Sequence, residues 1–149
     1  MLLLLFEIGG GRFALDAGIV VRVIPRINCK KNPTFPEYVT GIINYHGKPI
    51  PVIDLNSFHN SAPCKARLST RIIIVNHIQK NFNNVHVGLI AERVTETVTI
   101  DTSNLYEKSP TIDLDLGVGK QAKGNAAAIQ WYDLDHLLPD SLLDEIIQE

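Results

Sequence analysis

The stretch GIINYHGKPIPVIDL, residues 41–55, decides the fold. It reads as two extended segments joined at a glycine. Residues 42–46 alternate between faces, Gly47 and Lys48 supply a turn, and residues 49–55 run back as an apolar strand. Pro49 and Pro51 are two residues apart, so the two positions without an N–H fall on one side of that strand. That side cannot carry a continuous ladder, which predicts an edge strand, a bulge or a rim position. A hairpin this apolar must also be covered by other strands on at least one face.

Those strands are legible on both sides of it. Residues 2–8 and 12–16 form an N-terminal hairpin around the glycines at 9–11, and the β-branched run 19–24 is a third strand stopped by Pro25. A polar loop covers 28–36. Beyond Leu55, residues 56–70 are polar and mixed, a connector. Residues 71–77 are a buried strand, returned by 85–90 after a turn at Asn83-Asn84. Residues 93–100 place Val94, Val98 and Ile100 on one side and Arg93, Thr95, Thr97 and Thr99 on the other, a half-exposed strand. Residues 101–125 are loop-rich, 126–132 form a last strand, and Pro139-Asp140-Ser141 opens a terminal helix with Leu142, Leu143, Ile146 and Ile147 apolar. Nine or ten short strands and one clear helix predict an all-β barrel or sandwich.

Composition agrees with a soluble globular chain. Hydrophobic residues make up 45% and charged residues 20% of the 149, within the range of ordinary folded domains rather than disorder. A net charge of −2 gives no general attraction for nucleic acid, and the clusters Lys30-Lys31 and Lys65/Arg67/Arg71 read as solvated faces. Cys29 and Cys64 give no disulfide framework and are expected to stay reduced in a cytoplasmic protein. The opening MLLLLFEIG lacks the basic region and cleavage site of a leader peptide, and no run approaches the roughly 18 apolar residues of a membrane span.

The central stretch resembles the segment Gly-Val-x-Asn-Leu-Arg-Gly-x-x-x-Pro-Val-x-Asp-Leu of CheW-like domains, the coupling proteins of bacterial chemosensory arrays. Gly41, Asn44, Gly47, Pro51, Asp54 and Leu55 match in order and spacing, whereas Tyr45 and His46 stand where the family has leucine and arginine. Three further segments carry the likeness: Val20-Val21-Arg22-Val23, with Arg22 in place of an acidic residue; Val87-Gly88-Leu89-Ile90-Ala91-Glu92-Arg93-Val94, with Glu92 in place of aspartate; and Asp133-Leu134-Asp135-His136-Leu137-Leu138. The resemblance implies one CheW-like domain over 1–149, built as two small SH3-like five-stranded β-barrels on a shared core. The first barrel would take about 9–65, the second about 1–8 with 66–138, and residues 139–149 the short C-terminal helix.

Catalytic chemistry finds no foothold in the sequence. The histidines at 46, 59, 77, 86 and 136 lack metal-site spacing, although His77 and His86 are placed to face each other across a hairpin. No Gly-x-Ser-x-Gly elbow is present, and the Gly-Lys pairs at 47–48 and 119–120 are followed by Pro49 and Gln121 rather than the Ser or Thr of a phosphate loop. Asp113 and Asp115 lack the longer acidic pattern of a calcium loop, and Asp54 reads as a cap at a strand end. The chain is therefore expected to be a non-enzymatic adaptor with no cofactor and no metal.

The family resemblance implies two partners: the regulatory domain of a CheA-type histidine kinase, and the cytoplasmic tip of a methyl-accepting chemoreceptor lying in a groove between the barrels. Carried over residue by residue, the partner-binding candidates are Val20, Arg22, Val23, Gly41, Asn44, His46, Gly47, Val87, Gly88 and Leu89. Core packing is the competing reading for Val87 and Leu89, and backbone geometry for Gly41 and Gly47. The departures at 22, 46 and 92 suggest a divergent member, of an accessory or pilus-linked system or binding only one partner. A nucleic-acid-binding β-barrel is disfavoured because the aromatic residues are scattered rather than interleaved with basic ones.

Overall fold

The computed structural model describes residues 2–31, 33–60, 67–78, 84–99, 111–112 and 129–131. The terminal helix, the turn at 133–138, Cys64 and the Asp113/Asp115 loop lie outside them. Ten strands are described: β1 Leu2–Ile8, β2 Gly11–Asp16, β3 Val20–Pro25, β4 Val39–Tyr45, β5 Lys48–Asp54, β6 Arg71–Ile78, β7 Asn84–Ala91, β8 Arg93–Thr99, β9 Thr111–Ile112 and β10 Ile129–Trp131. One short helix, α1 Leu55–Asn60, follows β5. The sequence reading had a plain connector there.

The strands form two five-stranded sheets, β8-β1-β2-β10-β9 and β3-β6-β7-β5-β4. The chain crosses between them twice among the described residues. The first crossing is a 3-10 turn, Ala17–Ile19, where the Asp16 carboxylate accepts the Gly18 N–H at 2.9 Å. The second is the single residue Glu92, between β7 in one sheet and β8 in the other. Strands β3 to β7 thus build the second sheet from one consecutive run of strands, between the two halves of the first. In sheet membership, β2 lies with β1, and β6 and β7 lie with β3 to β5. Five strands per unit agrees with expectation, but each hydrogen-bonding order ends in two edges, so the architecture is two sheets on a common core.

That core explains the composition of the strands. Leu4, Phe6, Ile8 and Leu15 from the first sheet join Ile43, Ile50, Val52, Ile72, Ile74 and Leu89 from the second in one buried cluster. Strand β1 is buried on both faces, because Leu3 and Leu5 are buried as well as Leu4 and Phe6. The opening leucine run is therefore a central strand, which needs apolar side chains on alternate residues of both faces.

Glu92 fixes the corner between the sheets. Its N–H donates to the Glu7 carbonyl at 3.0 Å, its carboxylate accepts the Gly9 N–H at 3.1 Å, and its carbonyl accepts the Ser69 hydroxyl at 3.1 Å. A shorter aspartate would hold its carboxylate about one carbon–carbon bond further from Gly9. Gly9 and Gly10 both have positive φ (56° and 81°), which makes the β1–β2 connection a two-residue turn matched to the strand twist.

Candidate functional site

The hairpin of residues 41–55 forms, with its turn one residue earlier than expected. Tyr45 pairs with Lys48, and the two loop residues are His46 (φ 50°) and Gly47 (φ 82°). Both are left-handed, the arrangement of a type I′ turn. The Asn44 side chain secures it by accepting the Gly47 N–H at 2.9 Å. His46 is exposed at the tip, with its ring edge-on to Tyr45 at a centroid distance of 4.3 Å. Glycine at 47 is thus a conformational requirement, and the asparagine of the motif is a turn lock.

The proline pair has a more specific consequence than an edge strand. Strand β5 lies inside its sheet, between β7 and β4. Counting from the Tyr45–Lys48 pair, Lys48, Ile50 and Val52 bond to β4, so Pro49 and Pro51 face β7. Pairing with β7 is parallel and begins only at Val52. The missing N–H groups therefore fall where β5 has no ladder partner. A cleft of about 480 Å³ opens there, with Pro49 and Pro51 on one wall and Asn76, Val85 and His86 on the other.

At the far end of β5, the buried Asp54 carboxylate accepts the Asn56 and Ser57 N–H groups at 3.0 and 3.1 Å, and so caps α1. The capping role read from the sequence is the one the structure assigns.

Gly41 has a role that the sequence reading missed. Lys30 pairs with Ile42 on the outer edge of β4 through two hydrogen bonds of 2.8 and 2.9 Å. A Cβ on Gly41 would lie 2.6 Å from the Lys30 carbonyl oxygen and 2.8 Å from the Cys29 Cβ. A glycine inside a strand pattern signals such a close approach of backbone. This bridge also bends the sheet. Laid flat, Lys30 would lie five strand spacings from β3, roughly 24 Å. The five-residue link from Pro25 spans at most about 18 Å. The sheet must curl, bringing the β3 side toward the β4 hairpin.

The partner-binding candidates separate into three groups. Val20, Arg22 and Val23 lie on β3, an edge strand, where a bulge between Val20 and Arg22 turns Val21 and Arg22 together toward solvent. Gly41, Asn44, His46 and Gly47 belong to the β4 hairpin at the other edge, tied back by the Lys30 bridge. Val87, Gly88 and Leu89 are buried in interior strand β7. Val87 and Leu89 are core side chains. A Cβ on Gly88 would meet the Ile72 and Val52 methyl groups at 2.9 and 3.2 Å, so glycine there permits close packing of β6, β7 and β5. None of these three residues is available at the surface.

The histidine pair is corrected by the strand register. His86 stands opposite Asn76 and His77 opposite Val85, so the two histidines project to opposite faces. No cluster of three or more His, Cys, Asp or Glu side chains suited to a metal ion occurs among the described residues. Nor does any helix of the described residues have the length and apolarity to cross a membrane. Cys29 is half-buried beside Gly41, and that burial raises its thiol above the ordinary value against the opposing pull of Arg26.

The chain is thus a two-sheet β protein on one core, with edge strands and hairpin turns carrying its exposed motif residues. The CheW-like domain model matches residues 2–141, and the chain belongs to that family. The Helicobacter pylori chemotaxis protein CheW is 27% identical over 78% of this chain and 70% of its own length. The Pseudomonas aeruginosa protein PilI is 25% identical over 72% of this chain and 58% of its own. The crystal structure of the scaffolding protein TtCheW from Thermoanaerobacter tengcongensis superposes with a TM-score of 0.74 at 25% identity, covering 92% of this chain and 86% of that one. The chain is a non-enzymatic, CheW-like scaffold protein of chemotaxis signal transduction.

Proposed function

We propose that this protein couples chemoreceptors to a CheA-type histidine kinase in the cytoplasm, using its two exposed edges as docking surfaces. The observation that carries this reading is the pair of motif surfaces, β3 and the β4 hairpin, exposed on one curled sheet. The receptor tip, an amphipathic helical hairpin, suits the β3 edge, where Val21 is exposed and Val20 and Val23 are half-buried against the core. The kinase regulatory domain, itself of CheW-like fold, docks sheet to sheet, with Asn44, His46 and Gly47 presented at the hairpin. Closure of each unit as an SH3-like barrel belongs to the same proposal.

Reconstitution tests it. Receptor-containing vesicles and kinase should show receptor-controlled phosphorylation only when this protein is added, and His46→Ala should weaken that control. Kinase output indifferent to the wild-type protein would remove the coupling role. A second reading, an accessory scaffold that holds one partner only, is favoured by the divergence at Arg22 and His46. It predicts stable binding to one of the two partners with no change in kinase activity.

A further inference from the structure

Among the described residues, those of the block 20–91, which carries the second sheet, include seven Lys or Arg against two Asp or Glu. The other described residues include two against four. One of the two acids in the block, Asp54, is buried and already caps α1. The overall net charge of −2 hides this division.

Part of the positive charge converges on the β3 side. Arg22 and Arg26 are exposed on and just beyond β3, and no acidic residue occurs between Asp16 and Glu37. Pro25 pairs with Arg71, which brings the end of β3 beside the turn leading into β6. That turn is fixed: the Thr70 N–H donates to the Arg67 carbonyl at 3.1 Å, the Arg67 N–H to the Thr70 hydroxyl at 3.0 Å, and the Arg71 guanidinium to the Leu68 and Thr70 carbonyls. The turn holds Arg67 in solvent and Leu68 almost wholly exposed, at 98%. Val21 (43%), on β3, and Ile27 (44%), two residues beyond its end, are exposed apolar side chains as well. Arg22, Arg26 and Arg67 make no ion pair among the described residues.

We infer that the β3 edge and the 67–71 turn form a cationic and apolar strip that takes an acidic amphipathic helix of the receptor. This deepens the coupling reading and rests on it. The helix would set apolar side chains against Val21, Ile27 and Leu68 and its carboxylates against Arg22 and Arg26. The Cα atoms of those two arginines are at most about 14 Å apart. Carboxylates two helical turns apart, at i and i+7, are separated by about 10.5 Å on one face, within reach of both guanidinium groups. Arginine supports protein recognition here because its planar fork binds carboxylates in pairs and is weakly hydrated. Single-stranded nucleic acid would need exposed aromatic platforms, and the exposed residues between these arginines are aliphatic.

The test is titration of a soluble receptor signalling fragment into the full chain at 50 and 300 mM salt. Arg22→Glu/Arg26→Glu should lower affinity at least ten-fold and flatten the salt dependence, and Leu68→Ser should lower it independently of salt. Lysines in place of the fragment's carboxylates should restore binding to the Arg22→Glu/Arg26→Glu variant. Arg93→Glu, an exposed change in the other sheet, should leave affinity unaltered. If the wild type controls the kinase while the arginine variants bind as it does, coupling stands and the strip is refuted. Failure of the wild type to bind the fragment refutes the strip as well, and duplex DNA or a second copy of the chain binding instead would name its replacement. Loss of kinase control with intact, arginine-dependent fragment binding would refute coupling and leave the strip in place.

Discussion

Substituting Gly41 by alanine tests how the second sheet is held in its curl. Two penalties act together. The backbone sits at φ 152°, a region that L side chains rarely adopt, and strain of this kind costs about 1–3 kcal/mol. The new methyl would also stand 2.6 Å from the Lys30 carbonyl oxygen, so the 29–30 segment must move. That movement breaks the two Lys30–Ile42 hydrogen bonds, each contributing about 0.5–1.5 kcal/mol. The expected destabilisation is about 2–6 kcal/mol, or a fall in Tm of roughly 4–24 °C for a chain of this size. Urea unfolding followed by circular dichroism measures it. Two controls separate the causes. Gly47→Ala meets nothing within 4 Å and carries only the conformational cost of a positive φ, about 1 kcal/mol. Gly88→Ala crowds only the Ile72 and Val52 methyl groups, with the Pro51 carbonyl oxygen at an ordinary 3.7 Å, and should lie between, at about 1–3 kcal/mol. A Gly41→Ala variant no less stable than Gly47→Ala would refute the account, because the close backbone approach would then be worth nothing.

Three further outcomes are expected. Asp54→Ala removes the acceptor for two N–H groups at the start of α1 and should cost about 1–2 kcal/mol in the same unfolding assay, with Asp54→Asn retaining part of it. His46→Gly should preserve or raise stability, because it relieves a left-handed residue costing about 1 kcal/mol, while His46→Val should lower it; receptor or kinase affinity measured on the same samples shows whether the imidazole itself is used. Cys29 should react with iodoacetamide at pH 7.5 more slowly than a free thiol, because burial raises its pKa and depletes the thiolate. The sign also sets its effect on stability. The folded protein holds the thiol proton more tightly, so this contribution is complete below the ordinary thiol value and lost as pH rises through the raised one. A Cys29→Ser variant should lose that part of the alkaline decline.

The residues of 41–55 determined a good deal by themselves. Alternation, a glycine turn and an apolar return strand are local properties, and local geometry made the hairpin and its partners legible. Asp54 was legible as a cap for the same reason: a carboxylate at a strand end has few other local uses. The family motif was likewise a matter of order and spacing, which sequence preserves.

What the tertiary structure decided was every question of which surface faces which. The turn came one residue early, because the Asn44 side chain and a histidine that accepts positive φ fix the loop at 46–47. The proline pair was visible, but only the late start of the β5–β7 ladder showed that it leaves a cleft inside the sheet rather than an outer edge. Val87 and Leu89 resemble motif residues and proved to be core, because burial depends on strand order, and strand order is set by contacts far apart in the chain. The charges are written plainly in the sequence, yet their separation acquired meaning only when β3 to β7 were seen to form one sheet. A charge count is additive along the chain, whereas an electrostatic surface exists only after folding has placed those charges side by side.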